Sequence, residues 1–177
     1  MPEKSLLCQR DSSSRSRKNK HFQLFEVEVA IGMKDLETAK RRLSERHLTL
    51  SVVKEGHVIF EAKTRGVSGF VEAVEEFKDR LDGASIADRV VGKAIALLCV
   101  YVNVRAVYAA TISKAAKALL EGNSVYLEWD SLVENILGAD KSKTCPFEQL
   151  VARITDPADA YRKLKSACGS TRFISRG

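Results

Sequence analysis

The sequence has little of what builds metal centres, disulfide frameworks or membrane spans. Its three histidines and four cysteines are widely scattered, with no C-x-x-C pair and no H-x-E motif. This scatter argues against a conventional zinc site and is typical of a reduced, cytoplasmic protein. The apolar run Ala94–Val102 is nine residues long, which suits a buried core helix and is too short for a bilayer. We therefore expect no metal, no other cofactor and no membrane partner.

The positive charge of the chain is concentrated towards its ends. The formal net charge is +6, and the segment Lys4–Lys20 contains six Lys or Arg residues against one Asp. Residues 1–32 are predicted to be a disordered or weakly structured basic extension. The alternative is that the start codon is mis-assigned and the segment adds nothing to the fold. A domain over residues 33–168 and a flexible tail over 169–177 complete the predicted organisation. Basicity confined to tails is weak support for a nucleic-acid-binding face on the domain.

The first half of the predicted domain contains a helix, a hairpin and a second helix. Apolar residues at helical spacing predict an amphipathic helix from Met33, with Leu36 and Leu43 on its buried stripe. Two β-rich runs flank Glu55-Gly56, where a glycine suits a hairpin turn. The segment VSGFVEAVEEFKDRL predicts the second helix, which Gly83 closes in a left-handed conformation.

Strands and helices then alternate along the rest of the chain. The expected elements are a core helix beginning near Asp88, a strand in RAVYAATI, a serine-capped helix in SKAAKALLEG, a strand in SVYLEW, a short helix in DSLVENIL, and helices in CPFEQLVARI and DPADAYRKLKSA. This alternation after an initial hairpin predicts the fold class: a three-layer α/β/α sandwich with a mixed sheet.

Lys93 is the one charged residue in an otherwise apolar or small segment, and Gly92 precedes it. Glycine costs about 1 kcal/mol relative to alanine inside a helix, unless another group must approach the backbone there. Lys93 is therefore a candidate acid, base or anion-binding residue, and Gly92 a candidate ligand-binding position. The alternative is that the lysine stem crosses the apolar surface and its amine reaches solvent.

Asp88 is the nearest carboxylate in sequence to Lys93. Five positions separate the two residues, so they do not share a helix face. A carboxylate at a helix start caps backbone N–H groups and complements the helix dipole. Asp88 is a candidate catalytic residue that orients its neighbours, with helix capping as the alternative role.

The segment TCPFEQL has the layout of a helix start. Pro146 suits the first helical position, which makes Cys145 the N-cap and Glu148 the third residue of a capping box. A helix N-terminus favours the thiolate form of cysteine, so Cys145 is a candidate nucleophile, redox thiol or ligand contact. Glu148 is a candidate ligand-binding residue. The alternative is an inert cap, and the preceding polar loop GADKSKT is a candidate cover for a site.

Several segments together resemble a known family. The chain resembles the uncharacterised prokaryotic domain-of-unknown-function family numbered eighteen-ninety-three, of the cytidine-deaminase-like superfamily, over roughly residues 33–167. The segments that carry the resemblance are LTLSVVKEGHVIFEAKTRGVSGFVE, GASIADRVVGKAIALL, RAVYAATISKAAKALL, CPFEQLV and DPADAYRKL. The resemblance implies a mixed sheet opened by a hairpin, with Asp88, Lys93 and Cys145 as the polar residues typical of the family.

Active deaminases of that superfamily hold zinc through an H-A-E-type motif and a P-C-x-x-C motif at the starts of two core helices. The corresponding segments here, DRVVGKA and SKAAKALL, contain no histidine or cysteine. The resemblance therefore implies a deaminase-like scaffold without the zinc ligands. A zinc deaminase would need unconventional ligands in this sequence.

Two classes of function are consistent with these residues. The first is metal-free binding or catalysis on a small molecule, nucleotide or nucleobase by fold analogy, in a pocket lined by Lys93 and Cys145. The second is a non-enzymatic, homo-oligomeric interaction module whose basic tail contacts nucleic acid. The sequence names neither a reaction nor a substrate.

Overall fold

The computed structural model describes residues 30–64, 66–138 and 143–172. The chain divides into two units, Met1–Ile31 and Gly32–Gly177. Residues 30 and 31, the described part of the first unit, are helical. The prediction of a basic extension over residues 1–32 falls almost entirely outside the described residues.

The described residues of the second unit form six helices and five strands. In chain order they are α1 (residues 32–45), β1 (Leu50–Lys54), β2 (His57–Ala62), α2 (Ser68–Leu81), β3 (Ser85–Val91), α3 (Lys93–Tyr101), β4 (Ala106–Ser113), α4 (Lys114–Gly122), β5 (Tyr126–Val133), α5 (Pro146–Val151) and α6 (Pro157–Arg172).

The predicted mixed sheet is confirmed. Its strand order is β2-β1-β3-β4-β5, with β1 antiparallel to both neighbours and β3, β4 and β5 parallel to one another. Four of the five strands therefore run in one direction. We call the edge of the sheet at which these four strands end the carboxyl edge, and α3 and α4 begin there.

Helices cover both faces of the sheet. Ala39 and Leu43 of α1 pack against Val53 and Ala87 on one face. The other five helices contribute to a larger cluster on the opposite face, where the fully buried side chains include Phe70, Ile86, Leu97, Leu120 and Leu164. Burial of this apolar surface is the main driving force for the fold.

The hairpin predicted at Glu55-Gly56 is confirmed, and a buried carboxylate holds its turn. Both turn residues have positive φ, 51° for Glu55 and 76° for Gly56, as a type I′ turn requires. Asp35 of α1 is 3% exposed and accepts hydrogen bonds from the Glu55 and Gly56 N–H groups at 2.7 and 2.8 Å. The turn is thereby fixed to α1.

The two edge strands differ from ideal strands. The pairing of β2 with β1 shifts between Val52↔Phe60 and Val53↔Val58, which leaves Ile59 as an extra residue in a bulge. On the other edge, the β5 side chains are mostly exposed, and the strand carries two acids, Glu128 and Asp130.

Two predicted helices differ in extent from the structure, and a third is absent from the residues described. The segment around Asp88 is not the start of a helix: it lies in strand β3, and α3 begins only at Lys93. The short helix expected in DSLVENIL is also wrong, because β5 continues to Val133. The last helix, α6, continues to Arg172, beyond the end of the sequence pattern that predicted it.

The predicted serine cap of α4 is confirmed and gives a test of the local structure. The Ser113 hydroxyl accepts a hydrogen bond from the Ala116 N–H at 3.2 Å. We expect Ser113→Ala to lower the free energy of unfolding by about 1 kcal/mol, because one helix N–H loses its acceptor. Urea unfolding measures the change. Ser131→Ala, the same substitution at an exposed β5 position, is the control, and equal effects of the two variants would contradict the capping role.

Candidate functional site

Asp88 is a buried carboxyl in the central strand of the sheet. It lies between Leu50 of β1 and Ala109 of β4, is 8% exposed, and accepts a hydrogen bond from the Val90 N–H at 2.8 Å. Burial raises the pKa of Asp88 to about 7, although hydrogen bonds from the backbone of Val90 and Arg89 oppose the shift. At neutral pH this carboxyl is therefore present in both protonation states. Its predicted alternative role as a helix cap is wrong, since it belongs to a strand.

Cys99 of α3 is the titratable neighbour of Asp88. Its side chain is fully buried. Burial, and then the charge of Asp88, raise the pKa of the Cys99 thiol well above its usual range. Cys99 therefore stays protonated and unreactive.

The start of α3 is capped from a distant part of the chain. Gly92 is the N-cap residue and offers no side chain. The Glu148 carboxylate instead accepts hydrogen bonds from the Lys93 N–H at 2.8 Å and from the Ala94 N–H at 2.9 Å. A negative group at this position also complements the helix dipole.

Gly92 is needed because of this carboxylate. A Cβ atom on Gly92 would lie 2.5 Å from Cδ and 2.9 Å from Oε2 of Glu148. The sequence indicated that some group must approach the backbone here, and the structure fills that space with the side chain of Glu148.

Lys93 completes a reciprocal arrangement between α3 and α5. Its Nζ donates a hydrogen bond to the Ala152 carbonyl, at the C-terminal end of α5, at 2.8 Å. A cation at a helix C-terminus is favourable for the same reason that an anion is favourable at the N-terminus. Each helix thus receives at one end a side chain supplied by the other.

Cys145 is the N-cap of α5, as predicted, and Pro146 stands in the first turn. The thiol makes no capping hydrogen bond, and the side chain is half-buried. The predicted capping box is wrong: the Cys145 N–H donates to the Ile136 carbonyl at 2.9 Å, while Glu148 binds α3. The structure therefore brings Gly92, Lys93 and Glu148 together, and Cys145 precedes Glu148 by one helical turn.

The loop predicted to cover a site is described only at its two ends. The Gly138 N–H donates to the Lys143 carbonyl at 2.8 Å, and Leu137 forms an antiparallel bridge with Thr144. Residues 139–142 lie outside the described residues.

One polar cluster was not predicted from the sequence. On the α1 face, the Lys40 Nζ lies 2.6 Å from Oε2 of Glu128 and 5.0 Å from the centre of the Tyr108 ring. The Tyr108 hydroxyl donates to Asp130 at 2.5 Å, and burial raises the pKa of Tyr108 to about 12. Lys40 and Glu128 are 88 positions apart, so no local sequence signal links them. Each of these groups has a partner, which indicates a structural network.

Metal-binding clusters and membrane-spanning helices are both absent from the part of the chain that the structure describes. Those residues contain no cluster of three or more His, Cys, Asp or Glu side chains able to hold a metal ion. They also contain no helix with the length and apolar character needed to cross a membrane.

The chain matches one family model and is similar to a solved structure. The family model described as TM1506, domain of unknown function (DUF1893), matches residues 38–167. A solved structure of a DUF1893 family protein (TM1506) from Thermotoga maritima is similar with a TM-score of 0.70 and 31% sequence identity. The similarity covers 76% of this chain and 90% of that chain. No curated protein matches.

Proposed function

This chain belongs to the DUF1893 family, a domain of unknown function, and from that premise we propose that it binds a small polar ligand without a metal. The proposed site extends from the carboxyl edge of the sheet, where Lys93 and Cys145 contact the ligand, to Asp88, which lies three residues before the end of β3 and acts as an acid or base. Ligands of open α/β sheets commonly bind at this edge.

Asp88 is the observation that carries the proposal. A carboxyl buried in a central strand destabilises the folded protein whenever it is ionised, and no cation among the described residues forms an ion pair with it. Strongly shifted pKa values of this kind concentrate at functional sites. A carboxyl that is partly protonated near pH 7 can donate or accept a proton under physiological conditions, as general acid–base catalysis requires.

The remaining predicted residues have different parts in the proposed site. Cys145 is half-buried with a thiol free of capping bonds, so it is the candidate nucleophile or contact. Lys93 is the assigned cationic contact, and its amine binds the Ala152 carbonyl at the end of α5. Glu148 and Gly92 shape the site, because the carboxylate fits only against a residue without a side chain.

Nucleobases and nucleotides are the proposed ligand class. This part of the proposal rests on the resemblance to the cytidine-deaminase-like superfamily. The order of hairpin, helix and alternating strands and helices supports that placement. Fold analogy is a weaker guide to the ligand than the site itself, so the ligand has to be identified by experiment.

Thermal unfolding with a panel of nucleobases, nucleosides and nucleotides tests the proposal. We expect at least one compound to raise the melting temperature of the full chain, because a ligand that binds only the folded state stabilises it. Asp88→Asn should abolish that shift. Native mass spectrometry of the purified protein identifies any small molecule that is already bound.

Asp79→Asn is the matched control, since it makes the same chemical change at an exposed position of α2. This variant should keep the ligand-induced shift. A shift of equal size in Asp88→Asn and in the unmodified protein would refute the assigned site. The absence of any shift or co-purified molecule would refute the ligand class.

A further inference from the structure

The segment 145–152, which we call the strap, consists of Cys145, helix α5 and Ala152. It lies at the end of β3, because its Glu148 binds the first N–H groups of α3. Phe147 extends it towards the end of β2: a Cβ on Gly66, in the loop after that strand, would lie 3.7 Å from the Phe147 ring. The strap therefore reaches across the carboxyl edge at which the site is proposed.

The attachment of the strap to α3 is polar and concentrated at a few atoms. The Glu148 carboxylate accepts two hydrogen bonds from the α3 backbone, and the Lys93 amine donates one to the Ala152 carbonyl. Val151 is fully buried and Phe147 is partly buried against the core, whereas Leu150 is 39% exposed. A six-residue helix with one fully buried side chain has lower local stability than the core helices, and such segments open independently of the core.

We propose that the strap is a lid that opens as a unit when Glu148 leaves the start of α3. Opening uncovers the Lys93 and Ala94 N–H groups and frees the Lys93 amine, while the sheet and the interior of α3 stay folded. As a gate for ligand entry, this lid rests on the proposed function. Its opening is a property of the free protein and is measured without any ligand.

Cysteine alkylation distinguishes lid opening from unfolding, because the chain supplies two internal reporters. Cys145 lies at the start of the strap and Cys99 in the core of α3. We expect Glu148→Gln to raise the N-ethylmaleimide reaction rate of Cys145 by at least about tenfold, since an amide cannot accept both bonds and hydrogen bonds to a charged group are stronger than those to a neutral one. Cys99 should keep its slow rate, as measured by peptide mapping.

Glu76→Gln, which removes the same charge from an exposed position of α2, should leave the Cys145 rate unchanged. Hydrogen exchange of the full unmodified chain gives a second test that needs no variant: the amides of residues 147–152 should exchange faster than those of residues 97–101. Equal acceleration of Cys99 and Cys145 in Glu148→Gln would overturn the proposal. The proposal would also be overturned if the strap amides exchanged no faster than the amides of the α3 interior.

Discussion

Gly92→Ala is expected to lower the free energy of unfolding by about 3 kcal/mol. This is a large effect for one added methyl group, because the backbone angles at this position are ordinary. The φ of Gly92 is −97°, which alanine adopts without strain. The penalty comes from the new Cβ, 2.5 Å from the Glu148 carboxyl carbon. Glu148 must then withdraw, which costs two hydrogen bonds to a charged group. Urea or guanidinium unfolding measures the loss.

A double-mutant cycle attributes this effect to the right contact. In a Glu148→Ala background, where the carboxylate is already absent, Gly92→Ala should cost nothing or stabilise slightly through the unfolded state. Gly122→Ala is the matched control, because a Cβ there meets no atom within 4 Å. If Gly92→Ala costs the same with and without Glu148, the close approach is not the reason for the glycine.

Asp88→Asn is expected to stabilise the protein at alkaline pH, by up to about 4 kcal/mol at pH 8.5. The pKa of Asp88 is raised from 3.8 to about 7 in the folded state. Between these two values the folded protein holds a proton that the unfolded chain has released. Stability therefore falls as pH rises through that interval, and no further loss from this group occurs above pH 7. Asparagine removes the charge and can still accept the Val90 N–H.

The pH dependence separates this effect from ordinary changes in packing. Unfolding at pH 4.5 and at pH 8.5 should show a variant that gains several kcal/mol at the higher pH and much less at the lower one. Asp79→Asn, at an exposed position, should show no such difference. A uniform loss of stability in Asp88→Asn at both pH values would mean that the ionised carboxylate is well tolerated where it lies.

The fold was predictable wherever the determining signal is local. The hairpin at Glu55-Gly56, the left-handed Gly83 (φ 70°) and the cap at Ser113 depend on residues that are adjacent in sequence, and all three are confirmed. The boundary between β3 and α3 was missed for a physical reason. In β3 the first four residues are buried and Arg89 and Val90 are both exposed, so the strand shows no period-two alternation that would separate it from the apolar helix that follows.

The residues of the candidate site could be predicted from the sequence, but their hydrogen-bond partners could not. Gly92, Lys93 and Glu148 were each identified from local chemistry, and they meet because α5 returns to the start of α3 across 55 positions. Local rules assigned Glu148 to the capping box of its own helix, because only the tertiary structure supplies the alternative partner. The pKa of Asp88 depends likewise on burial between Leu50 and Ala109, which no local pattern encodes.

The bulge at Ile59 and the acids of β5 have a consequence for the behaviour of this protein at high concentration. An open sheet exposes unpaired backbone groups at both margins, and a straight, neutral margin recruits strands from other molecules. Here the extra residue kinks β2. On β5, antiparallel pairing of two copies in register about Asp130 would place like charges opposite each other. Glu128 and Asp130 therefore disfavour the association of two β5 edges, although Trp129 between them is exposed.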